Sequence, residues 1–412
     1  MIQNGHETAG AERVVRHGFP LPWQKAATRN SAMTDPLQLP STPRALTIRA
    51  IETVAIRVPL ARTYRGSQYQ MTHRSTTICR IYTDEGVVGE AWAGDEDASL
   101  GAISAIIEDE ITPHLIGEDG YAIERAWQLA RPATYNILRD RRLGLVACAC
   151  VDAALWDAIG KALGQPLWRL WGGYRSEIPM ISIGGYYGGP DIAEEIADLR
   201  ELGLAGLKFK VGGRDPKTDA ERFKRAREVA GSDFILCADA NQGWSADEAI
   251  EFVRLVEEED LHWFEEPCRW DTDKVSMRDV RMKTGVRVCA GQSEYSASGC
   301  RELMQAGAID VCNFDASWSG GPTEWRRAAA IAASYGLAMG HHEEPQVASH
   351  LIASIPHGTF VETFHPDRDP IWWNLPANRP ALVDGSLRLS DRPGLGWELD
   401  TDFIDRYRVK AR

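Results

Sequence analysis

The chain has 412 residues, 44% apolar and 25% charged, the balance of a globular protein able to bury a large core and not of a disordered or fibrous chain. Its net charge of −13 lacks the positive field that phosphate backbones require, so no nucleic-acid partner is expected, and part of the acidity can belong to a cation site. Single cores stop growing near about 250–300 residues, so one large domain with a smaller companion is the starting expectation.

Residues 1–45 are rich in Arg, Pro, Ser, Thr and Asn without sustained periodicity, which predicts a loosely ordered extension or an over-long start upstream of Met33. From Leu46 the runs LTIRAIETVAIRVPL, STTICRIYTD and EGVVGEAW are β-branched or alternate apolar and polar, predicting a three-stranded antiparallel sheet. Ile103, Ile106 and Ile107, then Val146, Ala149, Ala153, Leu155 and Trp156, recur at helical spacing before Gly164 and Pro166. Residues 46–165 are therefore expected to form an α+β capping unit. The segment from about 370 to 412 is expected to join it.

After Gly173 short apolar runs alternate with helical stretches, the pattern of parallel strands with crossover helices. Eight candidate strands follow: PMISIGG near 180, GLKFKVG near 208, FILCADAN near 238, LHWFEEP near 264, VRVCAGQSE near 290, IDVCNFDAS near 313, GLAMGHH near 340 and TFVETF near 362. Eight βα units close a (β/α)8, or TIM, barrel over 166–369, whose active site belongs at the C-terminal ends of its strands. Those ends carry Lys208 and Lys210, Asp239 and Asn241, Glu265 and Glu266, Gln292 and Glu294, Asp315, His341 and His342, and Glu362.

No uninterrupted apolar run reaches the roughly 18 residues of a membrane span, and a secretory signal pattern is missing, so no membrane partner and a cytoplasmic location are expected. The eight cysteines have no paired CxxC spacing and read as small buried hydrophobes in a reducing compartment.

Asp239, Glu265 and either Gln292 or Glu294 end three consecutive strands and offer only oxygen ligands, which suits Mg2+ better than zinc. Lys208 and Lys210 are two apart and face the same side of one strand, where each ammonium lowers the pKa of the other and helps one act as a neutral base. His342 with Asp315 behind it outlines an acid/base dyad, while adjacent His341 can be a satisfied polar residue. Glu362 can hydrogen-bond a substrate carboxylate when protonated, or pair with an arginine. The loop TYRGSQYQMTHR, with Tyr64, Arg65, Tyr69 and His73, can close over a substrate or be a polar surface hairpin.

These residues resemble, over about 46–400, the mandelate racemase branch of the enolase superfamily. The resemblance rests on VDAALWDAIGKALGQPLWRLWGG, the KxK of GLKFKVG, CADANQGW, WFEEP, FDASWSGG, the seventh-strand histidine and the final VET. It implies that Asp239 and Glu265 bind Mg2+, that Lys210 is the base on one face of a small carboxylate substrate, and that His342 backed by Asp315 is the acid/base on the other. Lys208 would lie beside the substrate carboxylate and Glu362 at the enolate oxygen. The chain departs from the family at the fifth strand, where Ala290-Gly291-Gln292-Ser293-Glu294 stands for the usual Gly-Glu. Glu294 is favoured as third ligand for its charge, with Gln292 as neighbour or co-ligand.

The implied reaction is proton removal alpha to a carboxylate, the dianionic product being stabilised by Mg2+ and Glu362. Asn241, His341, Glu343 and Glu344 make the region polar, which favours dehydration of a sugar acid by a hydro-lyase. A racemase or epimerase is the alternative isomerase reading, and a catalytically silent sugar-acid binding barrel is the reading of a different class. A homo-oligomer is the expected assembly.

Overall fold

A computed structural model describes residues 45–94 and 99–410, so the expectations for residues 1–44 lie outside the described residues. From Ala45 onward the chain forms one compact unit. Its first layer is the antiparallel sheet β1 (Ile48–Arg65), β2 (Gln70–Thr83) and β3 (Val88–Trp92), in that order. The apolar face of the sheet rests on the helix Arg141–Leu163, and Gly89 lies so close that a Cβ there would stand 2.1 Å from the Ala154 carbonyl oxygen.

That 23-residue helix is apolar on all sides, and 89% of its most apolar stretch is buried inside the protein, which makes it a core helix by position. Its two aspartates tie the layers together. Asp152 accepts hydrogen bonds from the Thr323 N–H (2.8 Å) and hydroxyl (2.7 Å) on a barrel helix. Asp157 accepts from the N–H groups of Glu90 in β3 (2.8 Å) and Leu395 near the C-terminus (2.7 Å). Replacing Asp157 by alanine leaves two buried donors unsatisfied, and we expect a loss of about 3 kcal/mol in denaturant unfolding. A change below about 0.5 kcal/mol would contradict this account.

All eight expected parallel strands form: β4 (Glu177–Gly184), β5 (Gly206–Lys210), β6 (Ile235–Asp239), β7 (Phe264–Glu265), β8 (Val288–Ala290), β9 (Val311–Cys312), β10 (Ala338–Met339) and β11 (Val361–Phe364). They pair in the order β10-β9-β8-β7-β6-β5-β4-β11, and a parallel bridge between Met339 and Gly358 closes the ring. β12 (Ser386–Arg388) adds antiparallel to the start of β4, and Arg408 bridges back to Ile56 in β1.

Alternation within the strands sorts their side chains between two environments. In β5 Phe209 packs outward on Phe223 of the helix Pro216–Ala230, with ring centroids 6.1 Å apart, while Lys208 and Lys210 turn into the barrel. Ile181, Cys237, Trp263, Cys289, Val311 and Phe360 form one apolar cluster, with Trp263 and Phe360 stacked at 4.4 Å. All eight cysteines are buried. Burial pushes the Cys237 and Cys289 thiols well above their ordinary range, which keeps them un-ionised in this interior.

Candidate active site

One register row crosses the barrel: Lys210 pairs with Asp239, and Asp239 with Glu265. Parallel strands in register aim these three side chains at the same point, and all are essentially inaccessible to solvent. Lys210 Nζ lies 2.7 Å from Asp239 Oδ2. Lys208 Nζ lies 2.6 Å from Glu265 Oε1 and 2.7 Å from Glu362 Oε2. The partner of Glu362 is thus a lysine and not the arginine the sequence allowed.

Mutual depression of the two lysine pKa values is not what dominates. Burial alone would push both ammonium groups down. The carboxylates overcome it, Glu265 and Glu362 at Lys208 and Asp239 at Lys210, and hold both amines above their ordinary value. The Lys208 charge does lower Lys210, but less than Asp239 raises it.

At the end of β10, His342 is bonded at both ring nitrogens. Nδ1 meets Asp315 Oδ2 at 2.9 Å, and Nε2 meets Glu343 Oε1 at 3.2 Å. Asp315 is itself fixed by the Ser317 N–H (2.8 Å) and hydroxyl (2.6 Å). Burial would discharge the imidazole, yet Glu343 and Asp315 hold its pKa well above the usual value. Trp318 covers the ring, centroids 4.9 Å apart. The expected dyad is therefore a carboxylate–imidazolium–carboxylate row.

The fifth strand corrects one expectation. The Glu294 carboxylate turns away from the barrel axis and rests against Gly299 in the following helix, in a surface cleft with Trp270, Asp273 and Lys274. The chain bends after Gly291, whose φ is +136°, so strand alternation no longer predicts where residue 294 points. Gln292 is buried, and its backbone N–H and side-chain oxygen bond Asn313 in β9's continuation at 3.2 and 3.3 Å. Among the described residues no three His, Cys, Asp or Glu side chains converge as a metal cluster. The donor set that fits a hard cation is two carboxylates with amide oxygens. Consistent with that fit, Glu265 Oε2 and Asn241 Oδ1 are buried without a hydrogen-bond partner among the described residues.

The remaining expected residues divide. Asn241 donates from Nδ2 to Asp239 Oδ2 at 3.2 Å and stays in the site. His341 does not reach a substrate: its Nδ1 meets the His342 carbonyl (2.8 Å) and its Nε2 accepts from the Ala316 N–H (3.0 Å). Arg65 is exposed, and its carbonyl oxygen accepts from the Tyr187 N–H at 3.1 Å. Tyr64 is buried against Tyr186 at the cap–barrel junction, centroids 5.2 Å apart. The loop does reach the mouth, through Tyr69, whose ring lies 5.9 Å from Lys210 Nζ, and Ser67, which bonds the Asn241 carbonyl at 3.5 Å. His73 pairs instead with Thr72 and Arg57 on the sheet. Trp318, Tyr186 and Asn313 were missed, because apolar or neutral side chains carry no chemical signature before the fold brings them to the rim.

Comparison with known proteins bears on the family and the fold. Residues 48–172 match the mandelate racemase/muconate lactonizing enzyme N-terminal domain, and residues 191–403 the enolase C-terminal domain-like family. The chain is 30% identical over 371 residues to 3,6-anhydro-alpha-L-galactonate cycloisomerase of Streptomyces coelicolor, covering 88% of this chain and 99% of that one. It is 28% identical to arabinonate dehydratase of Saccharolobus solfataricus, over 80% of this chain and 90% of that one. A mandelate racemase/muconate lactonizing enzyme from a marine actinobacterium, solved in complex with magnesium, superposes with a TM-score of 0.85 at 58% identity, covering 89% of this chain and 100% of that one. With both domains matched and the barrel and its cap in place, the chain belongs to the mandelate racemase/muconate lactonizing enzyme family of the enolase superfamily.

Proposed function

We propose that this protein is a magnesium-dependent hydro-lyase that removes the proton alpha to the carboxylate of a sugar acid and expels the hydroxyl on the next carbon, giving a 2-keto-3-deoxy acid. The observation that carries this reading is the placement of the His342 ring between the carboxylates of Asp315 and Glu343, 2.9 and 3.2 Å from its two nitrogens, at a barrel mouth that also presents Lys210. Two flanking carboxylates favour the protonated imidazole, the form that donates to a leaving hydroxyl. Racemisation, the alternative, requires it to accept. The arabinonate dehydratase and magnesium-bound relatives support the same reading.

Asp239, Glu265 and the Gln292 amide would hold magnesium, which would supply positive charge to stabilise an enolate and to balance the carboxylates now paired with the two lysines. Lys210 lies on the same strand face as Lys208, whose ammonium lowers its basicity. Lys210 then takes the alpha proton. Lys208 and Glu362, bonded to each other at 2.7 Å, lie at the substrate carboxylate, and Glu362 Oε1 has no hydrogen-bond partner among the described residues. The enolate collapses as the C–O bond of the neighbouring hydroxyl breaks. The hydroxyl takes the proton of His342 Nε2 and leaves as water, and the enol tautomerises to the 2-keto acid.

Screening a sugar-acid library for 2-keto-3-deoxy product with Mg2+ tests the reaction, and product from no acid would sink it. The ligand set is tested separately. Gln292→Ala is expected to weaken Mg2+ binding about tenfold or more by isothermal titration, whereas Glu294→Ala leaves it unchanged. The reverse outcome would return the third-ligand role to Glu294.

A further inference from the structure

Glu343 is the acid on the Nε2 side of the reacting imidazole, opposite Asp315 at Nδ1. Its Oε1 lies 3.2 Å from His342 Nε2, the nitrogen that must face the leaving hydroxyl, and its Oε2 lies 3.6 Å from Arg74 Nη1. Its N–H donates to Glu362 Oε2 at 3.1 Å. Glu343 and Glu344 have φ of +52° and +48°, two successive non-glycine residues in a left-handed conformation that costs energy and persists only where the surroundings enforce it. Arg74 of the cap strand β2 enforces it, bonding Glu344 at 2.6 Å and Asp369 at 3.2 Å.

Burial would push the Glu343 carboxyl up, but His342 and Arg74 hold it well below its usual range, so it stays an anion. The space beside His342 Nε2 thus offers a fixed carboxylate.

We infer that Glu343 is a specificity-determining residue that accepts hydrogen bonds from the hydroxyls of the substrate chain and excludes a second carboxylate, so that the substrates are aldonic monoacids and not aldaric diacids. This rests on the dehydratase reading. A hydroxyl entering at His342 Nε2 accepts from the imidazolium and donates to Glu343, which satisfies both groups as their mutual bond is exchanged. A carboxylate has no hydrogen to give and meets Glu343 as a buried like charge. The penalty is steepest for short diacids, whose second carboxylate lies nearest the leaving hydroxyl.

The test compares kcat/KM of the wild-type enzyme with Mg2+ on matched pairs, pentonates and hexonates against pentarates and hexarates of the same configuration. The monoacid is expected to lead by about 100-fold or more. Glu343→Gln, isosteric and uncharged, is expected to narrow that ratio at least about tenfold, by lowering the KM of the diacid and raising that of the monoacid. Equal turnover of the two classes, a preference for diacids, or an unchanged ratio in the variant would overturn the inference while leaving the dehydratase reading in place. No product and no alpha-deuterium from either class in D2O would overturn both.

Discussion

Lys210→Ala is expected to lower kcat by about 10³-fold or more while the variant still folds and binds Mg2+. The expectation follows from what else lies within reach. Lys208 cannot replace the missing amine, because it is fully buried and its ammonium is bonded to Glu265 and Glu362 at 2.6 and 2.7 Å. His342 cannot replace it either while Asp315 and Glu343 keep the imidazole protonated. The carboxylate freed at Asp239 still has Lys208 at 3.9 Å, so the cluster is not left without a counter-charge. An interaction used only in the transition state lowers kcat and kcat/KM together, and steady-state kinetics on a turned-over acid should show that signature. Wild-type kcat in Lys210→Ala would remove lysine from the role of base.

His342→Asn is expected to separate the two halves of the reaction. Without the imidazolium the leaving hydroxyl receives no proton, and keto-acid formation falls by about 10²–10⁴-fold. Lys210 still removes and returns the alpha proton, so substrate recovered from D2O gains deuterium with its configuration retained. The asparagine amide can donate to only one of the two carboxylates that flank His342, but Glu343 keeps Arg74 and Asp315 keeps Ser317. Substrate recovered with unlabelled alpha carbon, together with loss of product, would mean that His342 is the base.

The strands were legible because a barrel strand buried on both faces is a short apolar run, and the residues that break the run at its end stand out. Lys210, Asp239 and Glu265 were legible for that reason, and the register places them in one row. Glu294 was misplaced because alternation was extended past Gly291, where the backbone leaves the strand. His341 looked reactive by type, but two backbone groups already satisfy its ring nitrogens. The second carboxylate on His342 was hidden because residues 343 and 344 adopt a left-handed turn set by Arg74, more than 250 positions away in the chain. Asp152 and Asp157 show the converse. They stand in the signature that carries the family resemblance, yet their side chains hold the cap helix to the barrel and to the C-terminal segment and touch no catalytic group.

The central claim is removal of an alpha proton, and it is tested most directly by incubating the protein with Mg2+ and sugar acids in D2O and following the alpha position by NMR. The account predicts loss of the alpha-hydrogen signal, as deuterated acid or as 2-keto-3-deoxy product, and none of either when Mg2+ is removed with a chelator. A protein that binds Mg2+ and a sugar acid yet leaves every alpha hydrogen in place would contradict it, and would favour a barrel that binds acids without transforming them.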